Sequence, residues 1–155
     1  MSTTAADAET WSAERIAALA AAFDAAAVPS AEWTHRAHVT VAVHHLHAYG
    51  FREGSERVRE GILRLNAANG VPQTPTRGYH ETITRVYLRV LGDFVARAPA
   101  ADVATLANAA WRELGDPALP LRWYSKERLM SWEARTGWVE PDLAELPSAV
   151  ASPSP

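Results

Sequence analysis

The sequence contains no cysteine among its 155 residues. This absence excludes disulfide bonds, iron–sulfur clusters and zinc sites with thiolate ligands. Any metal ion bound by this chain must therefore be held by nitrogen or oxygen ligands. Iron, copper, zinc and nickel all accept such ligands, so the sequence does not distinguish among these four metals.

An excess of positive charge is also missing. The chain has 15 basic and 18 acidic residues, which leaves a formal net charge of −3. A phosphate backbone is held mainly by lysine and arginine, so this balance argues against nucleic acid as a partner. We expect a small-molecule substrate instead, and we allow for a homodimer.

Long hydrophobic runs are absent as well. The first residues, MSTTAADAETWS, lack the basic start and apolar centre of a signal peptide, and no apolar run has the length of a membrane span. These features predict a cytoplasmic protein with no membrane partner.

The apolar residues that are present, 48% of the chain, are sufficient for one hydrophobic core. They recur at helical spacing, with no alternating strand pattern, so we predict an all-α, compact single-domain bundle of about five to six helices. The predicted domain spans residues 12–145. A flexible N-terminus is predicted over 1–11, and the proline- and serine-rich end LPSAVASPSP predicts a disordered tail over 146–155.

Capping residues and helix breakers predict where the helices begin and end. Ser12 caps the first helix, and Ser30 is predicted to cap a second helix that ends at Gly50. A third helix ends near Gly70, before the loop GVPQTPTRG. A fourth covers YHETITRVYLRVLGDFVARA, a fifth covers DVATLANAAWREL, and a sixth lies between Ser125 and Gly137.

Five of the six histidines lie in one helix-length run, EWTHRAHVTVAVHHLHAYG. Side chains three residues apart on a helix are neighbours, so His35 and His38 can converge on one ion. They lie near the start of the helix and are interpreted in two ways. Either both are functional, or one caps or hydrogen-bonds a neighbouring helix and the other is merely exposed. We assign His44 and His47, near the other end, to a solvated or packing role.

A metal site with an open position normally has three protein ligands, so a third ligand is needed. The sixth histidine, His80, begins the fourth predicted helix and is expected to point into the bundle. We therefore predict a metal site formed by His35, His38 and His80. Such sites are built in helical bundles from side chains on facing helices.

Polar residues near His80 are candidate catalytic groups. Glu81 is interpreted in three ways: as a fourth ligand, a general base or a surface charge. Arg77 either binds an anionic substrate or is solvated, and Tyr79 is either a hydrogen-bond donor near the site or part of the core. The other nearby carboxylate, Glu32, is assigned to the dipole of the second helix.

The C-terminal stretch LPLRWYSKERLMSWEARTGWVEPDL is rich in tryptophan and arginine. It is expected to form a lid that packs aromatic rings on the bundle. Arg122, Tyr124 or Arg128 is a candidate for holding a small anion, because guanidinium groups suit carboxylates.

Three of these segments, WTHRAHV, YHETITRVYL and the C-terminal stretch, resemble a family of small uncharacterised bacterial helical proteins. The resemblance covers Ala31 to Leu143 and includes the His-x-x-His and Tyr-His-Glu-Thr motifs. It implies an all-helical fold in which His35, His38, His80 and Glu81 occupy the characteristic positions. No activity is established for this family, so the resemblance implies no chemistry.

These observations predict a metal-dependent enzyme that acts on a small polar molecule, with oxidoreductase or lyase chemistry favoured. The alternative is a non-catalytic protein that binds a ligand or partner through histidines that are hydrogen-bonded rather than metallated. A third hypothesis is a metal-free enzyme with His80 and Glu81 as acid and base.

Overall fold

The computed structural model of the protein describes residues 8–147, and within this range the chain is helical. Among residues 8–147 the only strand-like feature is an isolated bridge between Thr74 and Arg77. The all-α prediction is confirmed. The helices are α1 Ala13–Asp24, α2 His35–Ala68, α3 Glu81–Ala96, α4 Val103–Leu114, α5 Lys126–Leu129 and α6 Trp132–Thr136, and short 3-10 helices lie at Ser30–Glu32 and Leu119–Arg122.

The two predicted terminal segments, 1–11 and 146–155, lie mostly outside the described residues, and both stay predictions. Helix α1 begins as predicted, because the Ser12 side chain accepts a hydrogen bond from the backbone of Arg15. The helix buries Ile16, Ala20 and Phe23 on one face.

The start of α2 differs from the prediction. Ser30 does not cap it, and instead begins a 3-10 turn that ends at Glu32. The cap is Thr34, whose side chain accepts a hydrogen bond from the backbone of Ala37. Trp33, with φ −86° and ψ 65°, separates the two elements. The assignment of Glu32 to the dipole of the second helix was therefore wrong, because Glu32 precedes that helix.

Gly50 interrupts α2, as predicted, but no loop follows it. Its φ of 80° and ψ of 177° are non-helical, and the chain continues at once as a second helical arm. A positive φ is available to glycine at little cost because glycine has no Cβ. The two arms, 35–49 and 51–68, lie so close that a Cβ on Gly54 would be 2.7 Å from the carbonyl oxygen of His45.

Two further boundaries differ from the predictions. His80 lies outside α3 as its N-cap, with φ −126° and ψ 108°, and the helix begins at Glu81. The sixth predicted helix is two short helices, because Ser131 provides a second N-cap between Ser125 and Gly137.

Helix α2 is the central element and packs against α1, α3 and α4. The buried core includes Phe23, Val43, Leu65, Val86, Leu91 and Ala110. No helix among residues 8–147 combines the length and the apolar character needed to cross a bilayer.

Candidate functional site

A cavity of about 460 Å³ lies between α2 and α3, and all three predicted ligand histidines line it. His35 and His38 reach it from the start of α2, and His80 reaches it from the start of α3. Trp33, Tyr79 and Tyr87 add aromatic surfaces to the wall. The rest of the wall is mainly apolar and includes Val39, Ala42, Val58, Ile62, Leu88 and Leu91.

His38 is held as a neutral imidazole. Its Nδ1 lies 2.8 Å from the carbonyl oxygen of Thr34. A carbonyl only accepts, so Nδ1 carries the proton and Nε2 keeps its lone pair. Burial and, to a smaller extent, the neighbouring His35 lower the pKa of His38 to about 4, although the hydrogen bond to Thr34 opposes this shift. The ring also packs on Trp33, with 3.9 Å between ring centroids.

His35 has a similar environment. Burial lowers its pKa, against the opposing effects of a hydrogen bond to the Gly115 backbone and of the Asp116 charge. Its Nε2 is buried and has no hydrogen-bond partner among residues 8–147. The ring lies edge-on to Tyr87, with 5.3 Å between centroids. His35 therefore also presents a neutral ring at the cavity.

His80 differs because both of its nitrogens are engaged. Nδ1 accepts the backbone N–H of Ile83 at 3.1 Å, and Nε2 donates to the carbonyl oxygen of Leu129 at 2.8 Å. Burial lowers its pKa. Coordination of a metal by His80 would require one of these two hydrogen bonds to break.

Across residues 8–147, no group of three or more histidine or carboxylate side chains is placed so that it could hold a metal ion. The three-histidine site stays a prediction. The structure brings His35, His38 and His80 to one cavity, and hydrogen bonding distinguishes His80 from the other two.

Glu81 takes part in an ion-pair network next to the cavity. Arg59 binds its carboxylate through two nitrogens, at 2.5 and 3.2 Å, and the Tyr79 hydroxyl donates to it at 2.6 Å. The Glu81 side chain is only 12% exposed. Burial and the Glu81 charge raise the pKa of Tyr79 to about 12. These contacts support a structural role for Glu81, in which it connects the second arm of α2 to the start of α3.

We expect Glu81→Gln to lower the free energy of unfolding by about 1–2 kcal/mol, because it removes the charge from a partly buried bidentate pair. Chemical denaturation would measure the change. The matched control is Glu53→Gln, which affects the exposed pair between Glu53 and Arg57, and it should change stability by less than about 0.5 kcal/mol. Equal effects of the two substitutions would contradict a structural role for Glu81.

Of the other two catalytic candidates, Tyr79 lies at the cavity and Arg77 lies outside it. Tyr79 lines the cavity and is partly buried. Arg77 is exposed on the loop before α3 and is not part of the cavity wall. Its predicted role in binding an anionic substrate stays a prediction.

The C-terminal segment covers the start of α3. Thr82 is fully buried, and its hydroxyl donates to the carbonyl oxygen of Gly137 at 2.7 Å.

Tyr124 is also fully buried and donates to the carbonyl oxygen of Val139 at 2.7 Å. Arg128 donates through Nε to the Glu140 backbone at 2.6 Å. Tyr124 and Arg128 therefore form hydrogen bonds within the C-terminal segment, whereas Arg122 is exposed.

His45 is a residue whose role the sequence did not reveal. It is fully buried, and its Nδ1 donates to the carbonyl oxygen of Val41 at 2.9 Å. Its Nε2 lies 2.8 Å from the Asp24 carboxylate at the end of α1. His44 is partly buried and His47 is exposed. The partner of His45 is 21 residues away, so helical periodicity alone gave no signal for this pair.

Comparison with known proteins gave no match: no protein-family model, no curated protein and no solved structure is similar to this chain.

Proposed function

We propose that the protein binds a small molecule in the cavity between α2 and α3, with His38 as its principal polar contact. The volume of about 460 Å³ falls within the range of small-molecule sites, roughly 300–1,000 Å³. Such sites combine a mainly apolar wall with a few polar groups that orient the ligand. The cavity has this composition.

The observation that carries the proposal is the fixed tautomer of His38. Because Nδ1 donates to the Thr34 backbone, the lone pair on Nε2 remains available to a ligand. A pKa of about 4 keeps this ring neutral at neutral pH. His38 can therefore accept a hydrogen bond from a ligand without a change in its own protonation state.

A metal-dependent enzyme with oxidoreductase or lyase chemistry is the second candidate function, with iron, copper, zinc or nickel as the ion. The favouring observation is that His38 donates Nδ1 to the Thr34 carbonyl oxygen, while Nε2 of His35 is buried without a hydrogen-bond partner among residues 8–147. Histidines that bind metals commonly donate their second nitrogen in this way. His35 and His38 would hold the ion, and a bound metal would supply Lewis-acid or redox chemistry.

Ligand binding is tested by fragment titration, monitored through the NMR signals of the histidine rings. We expect fragments that bind the wild-type protein to shift the His38 signals. In the His38→Ala variant the same fragments should bind about fivefold more weakly, since one hydrogen bond contributes roughly 1 kcal/mol. His47→Ala is the control, because His47 is exposed and should leave affinity unchanged. Unchanged affinity in His38→Ala would refute this role.

Elemental analysis of untagged protein, purified without chelator, tests the second candidate. About one metal ion per chain, lost in His35→Ala and His38→Ala but kept in His47→Ala, would support the metal-dependent enzyme. Loss in His80→Ala as well would add His80 to the ligands. No metal after reconstitution with iron, copper, zinc and nickel would exclude this candidate.

A further inference from the structure

The wall of the proposed binding cavity carries no full charge. Of the residues from 8 to 147 that line it, none is an aspartate, glutamate, lysine or arginine. Its polar side chains are neutral groups: the histidine rings, the Trp33 indole, the Asn66 amide and the hydroxyls of Thr84 and of the tyrosines.

Charged groups just outside this wall have partners of their own. The Glu81 carboxylate is bound by Arg59 and by the Tyr79 hydroxyl. Asp116 is exposed, and its side chain accepts the backbone N–H of Ala118 at 2.9 Å. Neither carboxylate belongs to the cavity wall. The Asp116 charge does act on the wall residues His35 and Tyr87, whose pKa values it raises.

The histidines do not supply the missing charge either. Nδ1 of His38 and Nε2 of His80 donate to backbone carbonyls, and Nδ1 of His80 accepts the Ile83 N–H. Both rings are therefore neutral tautomers: His80 is hydrogen-bonded at both nitrogens, and His38 keeps its Nε2 lone pair free. Protonation of His80 at Nδ1 would break the N-cap of α3, because a protonated nitrogen cannot accept.

An ion that enters such a cavity loses part of its hydration and gains no opposite charge from the wall. An uncharged molecule avoids this penalty and still gains apolar contact with the wall. We infer that the cavity selects uncharged ligands that carry a hydroxyl or N–H group, with that donor bound to Nε2 of His38. This inference rests on the proposed ligand-binding function and specifies its ligand class.

The test compares fragments of matched size that are neutral, anionic or cationic, with the same number of fragments in each class. Benzyl alcohol, benzoate and benzylamine, which is cationic at neutral pH, form the first set. We expect benzyl alcohol to shift the His38 ring signals with an affinity at least about tenfold higher than that of either ion.

A substitution in the wall provides a second test. Thr84 is partly buried, lines the cavity and lies near the start of α3, where the helix dipole favours a carboxylate. The Thr84→Asp variant should therefore gain affinity for benzylamine, while its affinity for benzoate stays low. Thr84→Val is the control, because it keeps the side-chain shape without charge and should retain the preference for neutral fragments.

The outcomes separate the two proposals. Preferential binding of neutral fragments at His38 supports the inference. Binding of benzoate or benzylamine at His38 in the wild-type protein, with an affinity equal to that of benzyl alcohol, overturns the inference but leaves the ligand-binding function in place. If no fragment of any charge shifts the cavity signals, both are refuted.

Discussion

The His45→Ala variant is expected to unfold with a free energy about 2–4 kcal/mol lower than that of the wild-type protein. The imidazole is fully buried and packs edge-on against Phe23, so its removal leaves a cavity. The substitution also removes the hydrogen bonds to Val41 and Asp24. Because the Asp24 side chain is 51% exposed, it is rehydrated when its partner is lost, which keeps the effect below that of breaking a fully buried ion pair.

Chemical denaturation would measure this effect, with His47→Ala as the matched control. His47 lies two residues further along the same helix arm and is exposed, so its removal should change stability by less than about 0.5 kcal/mol. Asp24→Asn should have an intermediate effect, because asparagine keeps an acceptor for the ring. If His45→Ala and His47→Ala are equally stable, His45 does not connect α1 to α2 in the way the structure indicates.

Acidification is expected to destabilise the protein through His38. The pKa of this ring is about 4 in the folded protein, below the ordinary value of 6.5 that applies to the unfolded chain. Between these values the unfolded chain binds the proton and the folded protein does not, so stability falls as the pH decreases from about 6.5 to about 4. The contribution of His38 amounts to as much as about 3 kcal/mol.

The His38→Gln variant isolates this contribution. Its stability should fall less steeply over the same pH range, and the remaining slope should reflect His35 and His80, whose pKa values are also lowered by burial. NMR titration of the His38 ring in the wild-type protein would give its pKa directly. A pKa near 6.5, or equal slopes for the two proteins, would contradict a neutral His38 at the cavity.

Local features of the sequence predicted much of the fold. The helical spacing of apolar residues predicted α1, both arms of α2, α3 and α4. The sequence correctly predicted that Ser12 and Ser125 are N-caps and that Gly50 interrupts a helix. Such signals involve residues within about four positions of one another, so they can be recognised without knowledge of the tertiary structure.

The errors occurred where two local signals competed. Ser30 and Thr34 are both good capping residues, and Thr34 is the one used because Ser30 begins a separate turn. His80 had the spacing of a helical residue but acts as the N-cap of α3. Ser125 and Gly137 predicted one helix between them, but Ser131 caps a second helix within this segment.

The sequence by itself determined that the chain is an all-α domain without thiol chemistry, and it identified His35, His38 and His80 as residues of interest. Only the tertiary structure decided what each of them contacts. The His80 ring donates to a carbonyl 49 residues away, and Glu81 pairs with an arginine 22 residues away. Helix propensity and capping depend on near neighbours, whereas burial, hydrogen-bond partners and pKa depend on which helices pack together.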